Sequence, residues 1–243
     1  MSSLKSKLTF NRANAKLIKL EERTGKRVYS VSSLSGHSCI GANECLSMAI
    51  KTKLGLRIKD GPNNKFRCFS ASAEAQYPNV YKARKHNFDI FKKHAKDYTA
   101  LYNILSSSLP LDAKIIRFFV AGDMTTLKMF DAFISLAKKN PTVRFYQYTK
   151  SLPLLVARLG QLPSNYSIVA SKGGKWDYLI DKHNLRFAEV VYSEKEAKEK
   201  GLQIDFDDYL ACYGKKSFGL LIHGVGKKGS EQSRLHYQMK IAI

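Results

Sequence analysis

After Pro110 the chain repeats one short pattern: an apolar run of strand length, a polar exit, then apolar residues at helical spacing. Ile115–Ala121 is followed by Leu127, Phe130, Phe133, Ile134 and Ala137, and Val143–Tyr148 by a helical segment over Pro153–Leu159. Ser167–Ala170 leads to Trp176–Asp181, Glu189–Tyr192 to a short charged helix, and Phe218–Ile222 ends the series. Strands that are apolar throughout are buried on both faces, so their alternation with helices predicts a parallel sheet covered by helices. Val28–Ser33, rich in alternating β-formers, adds a strand, which makes six and leaves room for a seventh. The expected fold class is α/β, a parallel β/α barrel-like single domain, closed or partial TIM-type. An open doubly wound sheet is the alternative.

That domain is expected to span residues 28–243. Residues 1–27, with Lys5, Lys7, Arg12, Lys16, Lys19, Arg23, Lys26 and Arg27 against Glu21 and Glu22, read as a basic N-terminal arm, helical or flexible. Residues 51–67 read as a basic insertion with a turn at Asp60–Asn64. Phe88, Phe91, Ala95, Tyr98, Leu101, Tyr102 and Leu105 recur every three or four residues and predict a helix or helix pair. No apolar run reaches the ~18–20 residues of a membrane span, and no apolar core follows the first lysines. A soluble protein without a secretory signal is therefore expected.

Lysine and arginine number 41 against 20 acidic residues, a net charge of +21 with His neutral. This excess is far beyond the roughly 2–8 that solubility asks for. It points to a polyanionic partner, nucleic acid or nucleotide rather than membrane, since no amphipathic helix carries a Trp- or Phe-rich face. In parallel α/β folds the site lies at the carboxyl ends of the strands. Those exits carry Ser35–Cys39, Ala121-Gly-Asp123, Tyr148-Thr-Lys150, Ser171-Lys-Gly-Gly-Lys175, Ser193-Glu194 and His223-Gly224.

Asp123, Lys150 and His223 are the candidate catalytic residues. Asp123 can act as base or nucleophile, or simply cap the next helix. Lys150 can neutralise a phosphate or stand solvated. Ser171, Lys172, Gly173 and Gly174 read as a phosphate nest, in which small residues let backbone N–H groups converge. Gly224–Gly229 meets the G-x-G-x-x-G spacing, but no second βαβ unit follows it, so it is read as an anion-binding loop. Glu74, Tyr77, Arg84 and Asn87 either complete the site or serve as caps and surface. Of the four cysteines, Cys39, Cys45 and Cys68 gather after the first strand and are candidate ligands of an iron–sulfur cluster or, with His37, of zinc. Their spacing also allows ordinary free thiols, as does that of the distant Cys212.

His37-Ser-Cys-Ile-Gly-Ala-x-x-Cys45, Phe66–Ala71, Glu74-Ala-x-Tyr-Pro-Asn-Val80, Asn87-Phe88, Ala121-Gly-Asp123, Phe145–Pro153, Ser171–Gly174 and Leu221–Gly224 together resemble the bacteriophage gene product 88 family. The resemblance runs from about residue 28 to residue 230. The cysteine pattern, the Gly-Asp exit and the Tyr-Thr-Lys exit are also similar to radical S-adenosylmethionine barrel proteins of phages. That likeness implies a [4Fe-4S] cluster on Cys39, Cys45 and Cys68, with S-adenosylmethionine on the open iron. The compact Cys-x-x-x-Cys-x-x-Cys loop is absent, and Ile40 stands where the family usually has proline. Three functions follow as expectations. The first is a phage enzyme acting on nucleic acid or nucleotide with a three-cysteine metal centre, in the cytoplasm of the infected host. The second is a DNA base-modification enzyme similar to guanine transglycosylases, with Asp123 as nucleophile or base. The third is a non-catalytic basic nucleic-acid-binding protein.

Overall fold

A computed structural model describes residues 7–224, 226 and 229–235. The elements in chain order are β1 (Phe10–Asn11), α1 (Ala15–Thr24), β2 (Val28–Val31), β3 (Ser47–Thr52), β4 (Gly55–Asp60), α2 (Phe69–Gln76), α3 (Pro78–His94) and α4 (Tyr98–Ser108). Then come β5 (Ile115–Phe118), α5 (Leu127–Lys139), β6 (Arg144–Thr149), α6 (Leu152–Val156), a 3-10 turn, β7 (Tyr166–Ser171) and α7 (Tyr178–Lys182). The last are β8 (Phe187–Val191), α8 (Glu194–Glu199), β9 (Gln203–Ile204), α9 (Tyr209–Tyr213) and β10 (Phe218–Leu221).

Eight strands form one sheet in the order β1-β2-β5-β6-β7-β8-β10-β9, while β3 and β4 form a hairpin of their own. β1 pairs antiparallel with β2, and every other pairing in the large sheet is parallel. From β2 to β8 the order follows the chain, so each crossover advances the same way and lays its helix on the same face. This is the winding expected of a barrel. Among the described residues, however, no pairing joins the end strands β1 and β9, so closure is not observed.

Strand alternation gives the sheet two cores. Ile116, Phe118, Phe145 and Tyr166 meet Phe91, Leu101, Leu105, Phe130 and Phe133 of the crossover helices. There the Phe118 and Phe133 rings stack at 4.5 Å. Ile115, Tyr146, Val169, Ala188 and Phe218 face the other way and are covered by Leu17 and Leu20 of α1 and Ala211 and Cys212 of α9. Fully burying one such Leu or Phe contributes about 1.5–3 kcal/mol.

Within the described part of the basic N-terminal segment, the helical alternative is the one observed, and the helix packs on the sheet instead of standing off as an arm. Leu17 and Leu20, three residues apart, put one apolar stripe on the sheet while Lys19 of α1 faces outward. Asn14 caps this helix by accepting from the Lys16 amide, and Gly25, at φ 64°, ends it. The insertion is an ordered hairpin that begins before residue 51 and has its expected turn at its base, after Asp60. The helix pair over Pro78–Leu105 is observed, split at Ala95–Asp97, where the Asp97 carboxylate accepts from Ala100 N–H to start α4. The strand expected over Ile115–Ala121 ends at Phe118, because Phe119 takes a positive φ of 58° and turns the chain out of the sheet. The two edge strands β1 and β9, two residues each, are too short for periodicity to reveal. No described helix is long and apolar enough to cross a membrane.

Candidate active site

The exits of β2, β5, β6 and β7 meet at one end of the sheet. Ser33 N–H donates to the Ala121 carbonyl, and Asp123 N–H donates to Ser38 Oγ. Gly122, at φ +83°, passes so close to Ser33 and Ser38 that any Cβ there would meet both. Across these exits lies the loop that carries Cys39 and Cys45. Ala42 bridges Gly174, Lys175 N–H donates to Gly41 O, and Glu44 N–H donates to Gly173 O. A Cβ on Gly41 would overlap the Lys150 carbonyl, so glycine is required for this approach.

The three cysteine segments converge on Ser47, two residues after Cys45. Gly36, which donates its N–H to Cys39 Sγ at 3.3 Å, rests against the Ser47 backbone. Cys68 N–H donates to Ser47 Oγ, also at 3.3 Å. All three cysteines are half-buried. Desolvation pushes the Cys39 thiol well up, and the Asp123 carboxylate, Cys68 and Cys45 add to the push. Desolvation and Cys45 raise Cys68 to about 11, against the backbone amides of Ala71 and Ser70 at the start of α2. The trio therefore forms one electrostatic group, and without a cation beside them the Cys39 and Cys68 thiols stay protonated at neutral pH. Among the described residues, no three Cys, His, Asp or Glu side chains converge closely enough to hold a single metal ion. His37 is turned away: its Nε2 lies 3.1 Å from the Ala49 carbonyl oxygen and its ring packs on Phe88.

Asp123 lies at the centre of the exits and is buried. Its Oδ1 accepts from Thr149 Oγ1 and Met124 N–H, both at 2.8 Å. Its Oδ2 accepts from Lys150 N–H at 2.8 Å and Ser151 N–H at 3.1 Å. Burial pushes its carboxyl up to about 6, and these donors oppose the rise without cancelling it. Four donors occupy the lone pairs a carboxylate has to offer, so Asp123 ties the β5 exit to the β6 exit.

The other predicted site residues are brought here too, with their polar groups already engaged. Lys150 Nζ donates to Ser171 O and Oγ, each at 2.9 Å, and to Lys172 O. The nest expected over Ser171–Gly174 is filled from within: Gly173 N–H and Gly174 N–H donate to the two oxygens of Asp177 at 2.7 and 2.9 Å. Asp177 stands where a phosphate would, and Lys172 pairs with Glu189. His223 lies with its ring 4.7 Å from that of Phe69, the residue after Cys68. Of the Gly224–Gly229 motif, Val225, Lys227 and Lys228 lie outside the described residues.

The profile of the family described as gene product 88 matches residues 7–239. The chain belongs to the gene product 88 family. No curated protein and no solved structure matches it.

Within this gene product 88 chain, Glu74 has the environment most suggestive of a ligand contact. It is fully buried on α2, and its Oε1 accepts from Ser35 N–H and Oγ and from Arg84 Nη1, at 2.9–3.0 Å. Its Oε2, like Ser33 Oγ, has no partner among the described residues. A buried carboxylate oxygen without a donor is costly and calls for one. Asn87 has a different task, binding Thr9 and Ser32 to hold β1 against β2, and Tyr77 is exposed.

The opposite face of the gene product 88 sheet holds a polar cluster that motif reading missed. Asp208 is buried and accepts from Arg117 Nη1 and from the Tyr146 and Tyr148 hydroxyls at 3.1 Å each, and Lys16 Nζ pairs with it at 3.3 Å while donating to the Asp205 carbonyl. Burial raises its carboxyl, but Arg117 and Lys16 outweigh burial and hold it below the ordinary aspartate value. The visible signal was Arg117, a charge inside an otherwise apolar strand.

Proposed function

We propose that this gene product 88 protein is an enzyme that acts on nucleic acid or nucleotides through an iron–sulfur centre on Cys39, Cys45 and Cys68. The observation that carries the reading is the gathering of three half-buried thiols, from three separate segments, at the carboxyl end of a parallel sheet. Ordinary buried cysteines have no reason to share one end of a fold or to overlie the loops where α/β sheets place their chemistry. A single zinc would hold its thiolates within about 4 Å of one another, since each Zn–S bond is ~2.3 Å, and no such group is found among the described residues, so a cluster is the form proposed. The parallel winding from β2 to β8 supports the same assignment.

The chemistry such a centre supplies when bound is one-electron reduction of S-adenosylmethionine held at an iron without a protein ligand. Around it, Glu74 Oε2 offers an acceptor to an amine or hydroxyl of the ligand. Asp123 fixes the β5 and β6 exits that form the floor, and its four donors favour this bracing role over nucleophilic attack. The net charge of +21 supports a phosphate-bearing substrate.

The test is iron and acid-labile sulfide per chain after anaerobic purification and reconstitution, with the visible charge-transfer spectrum. Wild type and C212A are expected to hold iron and sulfide in equal amount, and C39A, C45A and C68A each to lose the spectrum. Zinc alone, or no metal in any preparation, removes the proposal.

A further inference from the structure

The segment between the second and third cysteines divides its charges in two. At its base, every cation is neutralised: Arg67 donates twice to Asp60 Oδ2, at 3.2 and 2.6 Å, and Lys65 pairs with Glu44. Gln232 then fastens the Arg67 backbone from both sides, accepting from its N–H at 2.8 Å and donating to its carbonyl at 3.2 Å. The blade of the hairpin is the opposite. Lys51, Lys53, Arg57 and Lys59 are all exposed, and none lies within ion-pair distance of a carboxylate among the described residues. Arg57 and Lys59 alternate along β4 with half-buried Leu56, Ile58 and Asp60, so they share the face turned from the fold. At the tip stands Leu54, 81% exposed.

We propose that the β3–β4 hairpin is a nucleic-acid-gripping ribbon that seats a phosphate backbone beside the cysteine pocket. The inference rests on the nucleic-acid reading above and assigns the surface that performs it. Two residues along a strand are about 7 Å apart, so cations such as Arg57 and Lys59 can serve successive phosphates of one chain. Two-stranded ribbons enter nucleic-acid grooves, and an apolar residue at the leading end is the type of side chain that wedges between base steps. A lipid surface is disfavoured because one exposed leucine provides little apolar area to bury, where interfacial elements present a whole apolar face. The ribbon springs from Ser47, the residue on which the cysteine segments meet, so whatever it holds lies next to that pocket.

The test compares three full-length proteins: wild type, K51Q/K53Q/R57Q/K59Q, and a control, K82Q/K92Q/K93Q/K96Q, which removes the same charge from exposed lysines of α3 and the turn after it. Fluorescence anisotropy measures binding to a short mixed-sequence DNA duplex, to its single strand and to phosphatidylserine vesicles over a salt series. Wild type is expected to bind nucleic acid, and the ribbon variant to lose about tenfold or more. The slope of log affinity against log salt should fall by about 3 to 4 for the ribbon variant, at ~0.9 per phosphate contact, and by less than about 1 for the control. Equal losses in both variants, no loss in the ribbon variant, or binding to vesicles alone overturns the proposal. Circular dichroism confirms folding, and iron content is read on the same samples. Ribbon-dependent DNA binding without iron leaves the ribbon standing and removes the centre; iron without ribbon-dependent binding does the reverse.

Discussion

Asp123 and Asp208 are buried alike and each has four polar partners, yet their carboxyls move in opposite directions. The partners of Asp123 are a hydroxyl and three amides, all neutral, and burial wins. The partners of Asp208 include Arg117 and Lys16, and charge wins. Hydrogen bonds alone therefore do not fix the ionisation of a buried acid here; a cation does. The two ends of the molecule differ accordingly. The interior cluster locks a permanent ion pair beneath α1 and α9, whereas the carboxyl-end site gathers groups that protonate readily, the thiols of Cys39 and Cys68 included.

The comparison breaks most easily at Asp208. Asp208→Asn leaves Arg117 buried without its counter-charge and should cost about 3–5 kcal/mol of stability in urea unfolding. Asparagine tolerates the positive φ of 60° at this position, so the loss reports charge rather than backbone strain. A loss below about 1 kcal/mol means that the cluster does not hold α1 and α9 in place.

The next effect is smaller and has a pH signature. The Asp123 carboxyl titrates at about 6 in the folded chain against 3.8 for an exposed group. Near neutral pH its ionised form thus costs about 3 kcal/mol, and that cost disappears as pH falls through 6 towards 4. Asp208 has the opposite sign: its depressed value gives stability that is present above about pH 4 and lost as pH falls further. Asp205 is also pushed to about 6, by burial and by Asp208, so the Asp123 share must be read as a difference between wild type and D123N. That difference should shift by about 3 kcal/mol between neutral pH and about pH 4, on top of a constant offset for lost hydrogen bonds. A constant difference would show that Asp123 is not the group held near 6.

How far the sequence carried these conclusions depended on the range of the interaction. The parallel strands and the helix pair were legible because their apolar residues repeat locally. The cysteines could be proposed as a set, and the α/β rule named an end of the sheet for them. The fate of individual polar groups was not legible. The Gly173 and Gly174 amides are taken by Asp177 and the Lys150 ammonium by carbonyls of the next strand exit, contacts decided by loop geometry. Asp208 was missed because its partners come from α1, β5 and β6, far away in the chain. The helix of the basic N-terminal segment was allowed for, but its docking was not, because the charge conceals the two leucines that bind it to the sheet.

The smallest expected effect separates burial from clustering. Cys212 is more deeply buried than any of the other cysteines, and burial pushes its thiol up to about 12, yet it lies on the interior face between Ala211 and the aromatic ring of Tyr213. Cys212→Ala should cost only about 1 kcal/mol, the value of a small truncation in a packed core. In the metal-free native chain, long incubation with iodoacetamide at alkaline pH should label Cys39, Cys45 and Cys68, which keep accessible edges, and spare Cys212 until the protein unfolds. Reconstitution should then protect the first three and leave Cys212 as it was. If Cys212 labels at the rate of the others, its face of the sheet is open to solvent, and the contrast between a sealed interior cluster and an accessible carboxyl-end site is lost.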